Sequence, residues 1–174
     1  FIGSQAGRTN LIGLVSGKTG VLLGYTNAYA SSFTGGVTVA AGDITADGKA
    51  DLITGTASAA TPNVRAFDVG AGYAFTMVRD FYAYATSYTK GVNVAVADVN
   101  NDGLGDIITG TVSGSDNVRV FSAGQGTSMI ADFSGCAMAH DLGAISPTTR
   151  CRNVTISRAR TKPSTSASQY GAPQ

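Results

Sequence analysis

The chain has 174 residues, of which 43% are apolar and 23 are glycine, and its formal net charge is +1. This length and apolar content suffice for one folded domain with a core. All 11 acidic residues are aspartates, which favour turns and caps, and glutamate, a good helix former, is absent; this composition excludes a helix-rich fold. No apolar run approaches the roughly 18 residues of a membrane-spanning helix, and we expect neither a membrane span nor a nucleic-acid partner.

Taken in chain order, the sequence divides into an extension, three related repeats and a tail. The predicted boundaries are an N-terminal extension at 1–9, a first repeat at 10–62, a second at 63–116, a divergent third at 117–161, and a Ser/Thr/Pro-rich tail at 162–174. The strongest similarity joins residues 35–58 to residues 90–113, which match 55 positions apart. Self-similarity at a fixed period is typical of repeat architectures.

Short strands with period-2 alternation are predicted in each repeat. In the clearest copy they lie at 37–39, 52–54, 64–67 and 75–84. Residues 10–20 resemble a worn copy of residues 63–72, with Asn10 aligned on Asn63. Four antiparallel strands per repeat are typical of a propeller blade. We therefore predict an all-β fold of about three four-stranded antiparallel blade-like repeats, too few to close a ring alone.

Two aspartate loops separate the first and second strands of the two best-preserved copies. Their patterns are D-x-T-x-D-G-x-x-D and D-x-N-x-D-G-x-x-D. Calcium takes six to eight oxygen ligands, and alternate residues of a tight loop can point inward together. The predicted ligands of two calcium ions are therefore the side chains at loop positions one, three, five and nine and the carbonyl at position seven: Asp43, Thr45, Asp47, Lys49 and Asp51 in the first loop, and Asp98, Asn100, Asp102, Leu104 and Asp106 in the second.

The alternative to metal binding is that these aspartates cap ordinary turns, since aspartate and glycine cluster in hairpins. Two loops with identical aspartate spacing favour the metal site, because three carboxylates packed around one point repel each other without a cation. Gly48 and Gly103 follow the fifth position, where we expect a left-handed backbone conformation. The third repeat reads RARTKPSTSASQYG where such aspartates would follow, so no third loop is expected.

These loops, followed by Ile-Thr-Gly, resemble the FG-GAP/VCBS-type repeats of integrin-like β-propellers and of many secreted bacterial proteins. The resemblance covers about residues 10–133 and is most specific at 35–68 and 90–121. It implies four-stranded blades with calcium in a loop between two strands of a blade. The sequence departs from that family because it lacks the Phe-Gly-Gly-Ala-Pro string and has about three units instead of about seven.

Covalent features point to an extracellular or cell-surface location. Cys136 and Cys151 are the only cysteines, and in a secreted strand-rich chain one disulfide is expected, the alternative being two buried thiols. Asn153-Val-Thr155 is an N-glycosylation sequon. The tail at 162–174 has the composition of a flexible or O-glycosylated segment.

Catalytic groups are scarce. His140 is the only histidine, and its neighbour Asp141 would point to the opposite face of a strand, so a dyad is not expected. No G-x-S-x-G or Gly-rich phosphate loop occurs, and we predict that the chain is not an enzyme.

Because the chain has too few blades to close a ring, we predict that it self-associates through the repeat ends. Such contacts between copies give filaments when the assembly does not close into a ring. The alternative function is a glycan- or protein-binding adhesion module cut from a longer β-propeller. In that case tyrosines at 25, 29, 73, 82, 84 and 88 would stack on sugar rings instead of packing between blades.

Overall fold

The computed structural model describes residues 1–134 and residues 155–156, the latter as backbone only. The strands are β1 (Ile2–Gly3), β2 (Leu11–Val15), β3 (Leu22–Asn27), β4 (Val37–Gly42), β5 (Asp51–Thr56), β6 (Asn63–Val69), β7 (Phe75–Tyr82), β8 (Val92–Ala97), β9 (Asp106–Thr111), β10 (Asn117–Ser122), β11 (Ser128–Ser134) and β12 (Thr155–Ile156), with one 3₁₀ turn at Ala71–Tyr73.

The strands form three antiparallel sheets, none of which closes into a barrel. Sheet 1 has the order β1-β2-β3, sheet 2 has the order β4-β5-β6-β7, and sheet 3 has β8-β9-β10-β11 with the two-residue β12 beside β11. The predicted all-β class is thereby confirmed. Among the described residues, no helix is long and apolar enough to cross a membrane.

The sheets are out of phase with the sequence repeats. Sheets 2 and 3 each begin with the strand before an aspartate loop, so residues 10–62 contribute two strands to sheet 1 and two to sheet 2. Sheet 1 has three strands. Its edge strand β1 is equivalent to β5 and β9, the second strands of sheets 2 and 3, so sheet 1 has no equivalent of their first strands β4 and β8. The register shows this: Gly3 pairs with Ile12 as Gly55 pairs with Val64.

That equivalence shifts the sequence alignment of the worn repeat by one residue. Ile12, and not Leu11, corresponds to Val64, and the carbonyl of Asn10 accepts a hydrogen bond from the amide of Ala28 as the carbonyl of Pro62 does from Ala83. The asparagine therefore aligns on a proline. Sequence identity at one position misled the alignment, whereas hydrogen bonding defines it.

Two apolar cores join the three sheets. The core between sheets 1 and 2 is built from Ile12, Ala28, Val37, Leu52, Phe67 and Val69. The core between sheets 2 and 3 is built from Ile44, Ile53, Val64, Ala66, Ala83, Tyr84, Val92, Ile107, Phe121 and Ala123. Because neighbouring strand residues point to opposite faces, Leu52 packs toward sheet 1 while Ile53 packs toward sheet 3.

One tyrosine reaches across each junction between sheets. The Tyr84 hydroxyl shares its one hydrogen between the carbonyls of Thr109 at 3.0 Å and Asn117 at 2.9 Å, and the Arg119 guanidinium lies 5.0 Å from the centre of its ring. Tyr29 makes the corresponding contacts one sheet earlier, with Asn63 as carbonyl acceptor and Arg65 over the ring. These two tyrosines therefore pack between sheets, whereas Tyr25, Tyr73 and Tyr82 are exposed.

Several sequence predictions lie outside the described residues. They are the Cys136–Cys151 disulfide, the Asn153 sequon, the surroundings of His140, and the tail at 162–174.

Candidate metal centre

The two aspartate loops connect the first and second strands of sheets 2 and 3. The first lies between Gly42 and Asp51, the second between Ala97 and Asp106. Gly48 has a φ of 78° and Gly103 a φ of 86°, so the predicted left-handed turn is confirmed in both. Each loop also carries a left-handed residue at its fourth position, Ala46 or Asn101.

The first aspartate of each loop folds the loop around its own carboxylate. Asp43 accepts hydrogen bonds from the amides of Ala46 at 2.7 Å and Gly48 at 2.9 Å. Asp98 accepts the equivalent bonds from Asn101 at 2.7 Å and Gly103 at 2.9 Å. Each carboxylate also accepts a third amide bond at 3.2 Å, Asp43 from Thr45 and Asp98 from Asp102. An ionised carboxylate has about four acceptor sites, so about one remains for a cation.

The last aspartate of each loop is fully buried: Asp51 and Asp106 both have 0% exposure. Oδ2 of Asp51 accepts a hydrogen bond from the amide of Ile44 at 2.9 Å, while its Oδ1 is buried without a hydrogen-bond partner. Burial raises the pKa of Asp51, against the opposing effects of the Ile44 amide and the nearby Thr45 hydroxyl. A buried carboxylate oxygen without a donor is costly for the fold, and a bound cation would remove that cost.

The middle positions differ between the loops. In the first, the Lys49 ammonium lies 2.8 Å from Oδ2 of Asp47 and, by hydrogen bonding, lowers the pKa of that exposed carboxyl. In the second, Leu104 replaces the lysine, and Nδ2 of Asn100 donates to Oδ2 of Asp102 at 3.0 Å. A carboxamide has nearly the same shape on both sides, so a half turn of Asn100 would present its oxygen instead.

Two residues outside the loops complete the arrangement, and sequence reasoning missed both. The ladder between β5 and β6 ends with the pair Leu52 and Phe67, and Asp51 and Asp68 are the next residues beyond that end. The same register in sheet 3 pairs Ile107 with Phe121, which places Ser122 opposite Asp106. The available signal was an aspartate at position 68, one residue beyond the strand predicted at 64–67.

The carboxylates do not all converge in the structure. Within residues 1–134, no three or more His, Cys, Asp or Glu side chains lie close enough together to hold a metal ion as they stand. Asp47 is engaged by the Lys49 ammonium, and Asp43 and Asp98 accept hydrogen bonds from amides of their own loops. Binding of an ion would require the Asp47 carboxylate to exchange its contact with Lys49 for the metal.

Comparisons with protein-family models, with curated proteins and with solved structures found no match. The FG-GAP/VCBS resemblance accordingly stays a prediction from the sequence, carried by the aspartate spacing and the Ile-Thr-Gly that follows it.

Proposed function

We propose that this chain is a non-enzymatic, extracellular, calcium-stabilised repeat protein that self-associates through its end sheets. The observation that supports calcium most strongly is the proximity of the Asp51 and Asp68 carboxylates just beyond the end of the β5–β6 ladder, where burial and, to a smaller degree, the charge of Asp68 raise the pKa of Asp51. Asp51 is fully buried, and each carboxylate has a buried oxygen without a hydrogen-bond partner. Like charges directly opposite each other on neighbouring strands are destabilising, and a divalent cation between them removes the repulsion.

Calcium suits these residues better than other metals do. The candidate ligands are carboxylate, hydroxyl, amide and backbone oxygens, which are hard donors that calcium and magnesium prefer. A ligand set that mixes side chains with a backbone carbonyl of one short loop fits the flexible coordination of calcium better than the rigid octahedron of magnesium. In the first site Asp43, Thr45, Asp47, Asp51 and the carbonyl of Lys49 would hold the ion.

Titration calorimetry on the chelator-treated full chain tests this proposal. Two sites are expected, with Kd of about 10⁻⁴ to 10⁻³ M, the range of extracellular calcium modules. Asp47→Ala and Asp102→Ala should each remove one site, whereas Asp116→Ala, at an exposed aspartate outside both loops, should remove none. Absence of binding at millimolar calcium would refute the proposal.

Self-association is supported by the outer face of sheet 1. In sheets 2 and 3, one row of residues aligned across the strands faces a tyrosine that follows the preceding sheet. The row in sheet 2, which faces Tyr29, is Thr54, Arg65 and Asp80. The row in sheet 3, which faces Tyr84, is Thr109, Arg119 and Asp132. The corresponding row of sheet 1 is Ile2, Gly13 and Tyr25. Ile2 is 60% exposed and Tyr25 68%, with Leu22 close to Gly13 on the same face.

An exposed apolar sheet face of this kind is typical of an association site. The outer edge of β1 is a second feature that favours association. In sheets 2 and 3 the corresponding edges of β5 and β9 are paired with β4 and β8, whereas within the described residues no strand pairs with the outer edge of β1. Open edges are sites of strand addition. A second copy of the chain, which carries both an apolar face and strand edges of the same kind, is the partner that we propose.

Sedimentation velocity over a range of protein concentrations, with calcium and with chelator, tests the assembly. Tyr25→Asp should weaken association, whereas Tyr82→Asp, at a tyrosine that is 54% exposed on sheet 2, should not. Chelation should shorten or dissolve the assemblies, because loosened loops disturb the strands that they join. A chain that stays monomeric with calcium at high concentration would refute self-association.

A glycan- or protein-binding adhesion module is the second candidate function. It is favoured by the exposed rings of Tyr25, Tyr73 and Tyr82, since aromatic faces stack on sugars and anchor protein interfaces. Monomeric behaviour together with binding to immobilised glycans that is lost in Tyr73→Ala would favour this function over self-association.

A further inference from the structure

We propose that Asp68, on β6 and outside the aspartate loop, is a side-chain ligand of the first calcium site and makes the two sites unequal, with the first the tighter. This inference rests on the proposed calcium binding. It adds a ligand from a neighbouring strand that the loop pattern does not contain. In the second site the position equivalent to Asp68 is taken by Ser122, an uncharged and therefore weaker ligand.

The strand register carries the placement of Asp68. Pairing runs from Gly55 with Val64 to Leu52 with Phe67, where the ladder ends, and continuing that register by one residue brings Asp51 and Asp68 opposite each other. Residues directly opposite on antiparallel strands have Cβ atoms about 4.5–5.5 Å apart. Their carboxylates therefore lie within reach of one ion at the end of the β5–β6 ladder, where the loop also ends.

One oxygen of each of these two carboxylates lacks a hydrogen-bond donor. Oδ1 of Asp51 and Oδ1 of Asp68 are both buried and have no hydrogen-bond partner. Asp51 itself is 0% exposed. Two partnerless carboxylate oxygens on directly opposite residues are poorly explained by turn capping, which uses carboxylates as acceptors of backbone amides.

The second site shows that one group at this place can touch both strands. Nδ2 of Asn100 lies 3.4 Å from Oδ1 of Asp106 and 3.4 Å from Oγ of Ser122. The serine, which is fully buried, thus faces the same space as the last loop aspartate. By the shared register, Asp68 faces the corresponding space of the first site.

Charge then distinguishes the sites. The first has four carboxylates, on Asp43, Asp47, Asp51 and Asp68, whereas the second has three and a serine hydroxyl. The Lys49 ammonium partly offsets the extra charge, but its side chain is 61% exposed and can move into solvent when an ion binds. Calcium affinity rises with the number of charged ligands, so the first site should be the tighter.

A reciprocal exchange on the full chain tests the assignment by titration calorimetry. Asp68→Ser should weaken the first site by about tenfold or more, from Coulomb's law for one lost carboxylate near a divalent ion in water. Ser122→Asp should strengthen the second site, and Ser122→Asn, which adds an oxygen without charge, should change it less. Asp102→Ala and Asp47→Ala backgrounds isolate the first and second sites respectively.

Urea unfolding provides a second readout. Asp68→Asn should stabilise the calcium-free protein, because it removes repulsion with Asp51, and should reduce the extra stability that calcium confers. A merely structural Asp68 would not show these opposite effects. Two calcium sites of unchanged affinity in Asp68→Ser would overturn the assignment of Asp68 alone, whereas no calcium binding in the natural sequence would overturn the proposed function itself.

Discussion

The junction between sheets 2 and 3 yields a prediction for the change Tyr84→Phe. The Tyr84 hydroxyl donates to the carbonyls of Thr109 and Asn117 and accepts a hydrogen bond from Oγ1 of Thr109 at 3.2 Å. The side chain is only 8% exposed and Thr109 is fully buried, so water cannot replace the bonds to Thr109. The substitution keeps the ring, its contact with the Arg119 guanidinium at 5.0 Å, and the packing against Tyr88.

The expected cost follows from the groups left unpaired. Buried acceptors that lose their donor cost about 1–3 kcal/mol in the free energy of unfolding. The Thr109 hydroxyl keeps a longer hydrogen bond to the carbonyl of Arg119, and the carbonyl of Asn117 still accepts one from Oγ1 of Thr111, both at 3.4 Å, which places the expected value near the middle of that range. A loss of about 2 kcal/mol would lower the melting temperature by roughly 4–8 °C for a chain of this size.

Urea unfolding followed by circular dichroism measures the effect. Tyr82→Phe is the matched control, since Tyr82 is 54% exposed, and its free energy of unfolding should stay within about 0.5 kcal/mol of the natural protein. If Tyr84→Phe were equally neutral, the tyrosine contacts would not stabilise the junction. If Tyr29→Phe also left the free energy of unfolding unchanged, the Tyr29 contacts would not stabilise the junction between sheets 1 and 2.

Three further predictions concern pH, backbone conformation and covalent structure. Burial raises the pKa of Tyr29 and Tyr84 above the ordinary value of about 10. The stability that these neutral hydroxyls contribute is therefore complete below about pH 10 and is lost as the pH rises above it. The free energy of unfolding in urea should be lower at pH 11 than at pH 9, and Tyr84→Phe should reduce this difference. Gly91→Ala should cost about 3 kcal/mol or more, because φ is +100° and the added Cβ would clash with the Ala57 carbonyl oxygen. Gly72→Ala, at φ +68° with no atom near the added Cβ, should cost about 1–2 kcal/mol, and equal costs would contradict the steric argument. Mass spectrometry of a non-reduced digest should find a Cys136–Cys151 disulfide, whereas two alkylatable thiols in the native protein would refute it.

Local patterns in the sequence were sufficient for the fold class and for the position of the aspartate loops. Period-2 alternation depends on a strand's own residues, so the strands around both loops were predicted within a few positions. The left-handed glycines at 48 and 103 were equally predictable, because the Asp-Gly turn is decided by residues next to each other. The two-fold repetition of the loop strengthened the metal-site prediction without any knowledge of tertiary structure.

The pairing of strands from different parts of the chain decided the rest. Only the register of β5 against β6 brings Asp68 to the end of the ladder beside Asp51, since a shift of one residue would turn its side chain to the other face of the sheet. The same holds for the tyrosines: composition allowed Tyr29 and Tyr84 to bind a ligand or to pack, and their contacts across the junctions place them between sheets. Which strands share a sheet, and which buried carboxylates meet, depends on contacts between distant residues that no local pattern contains.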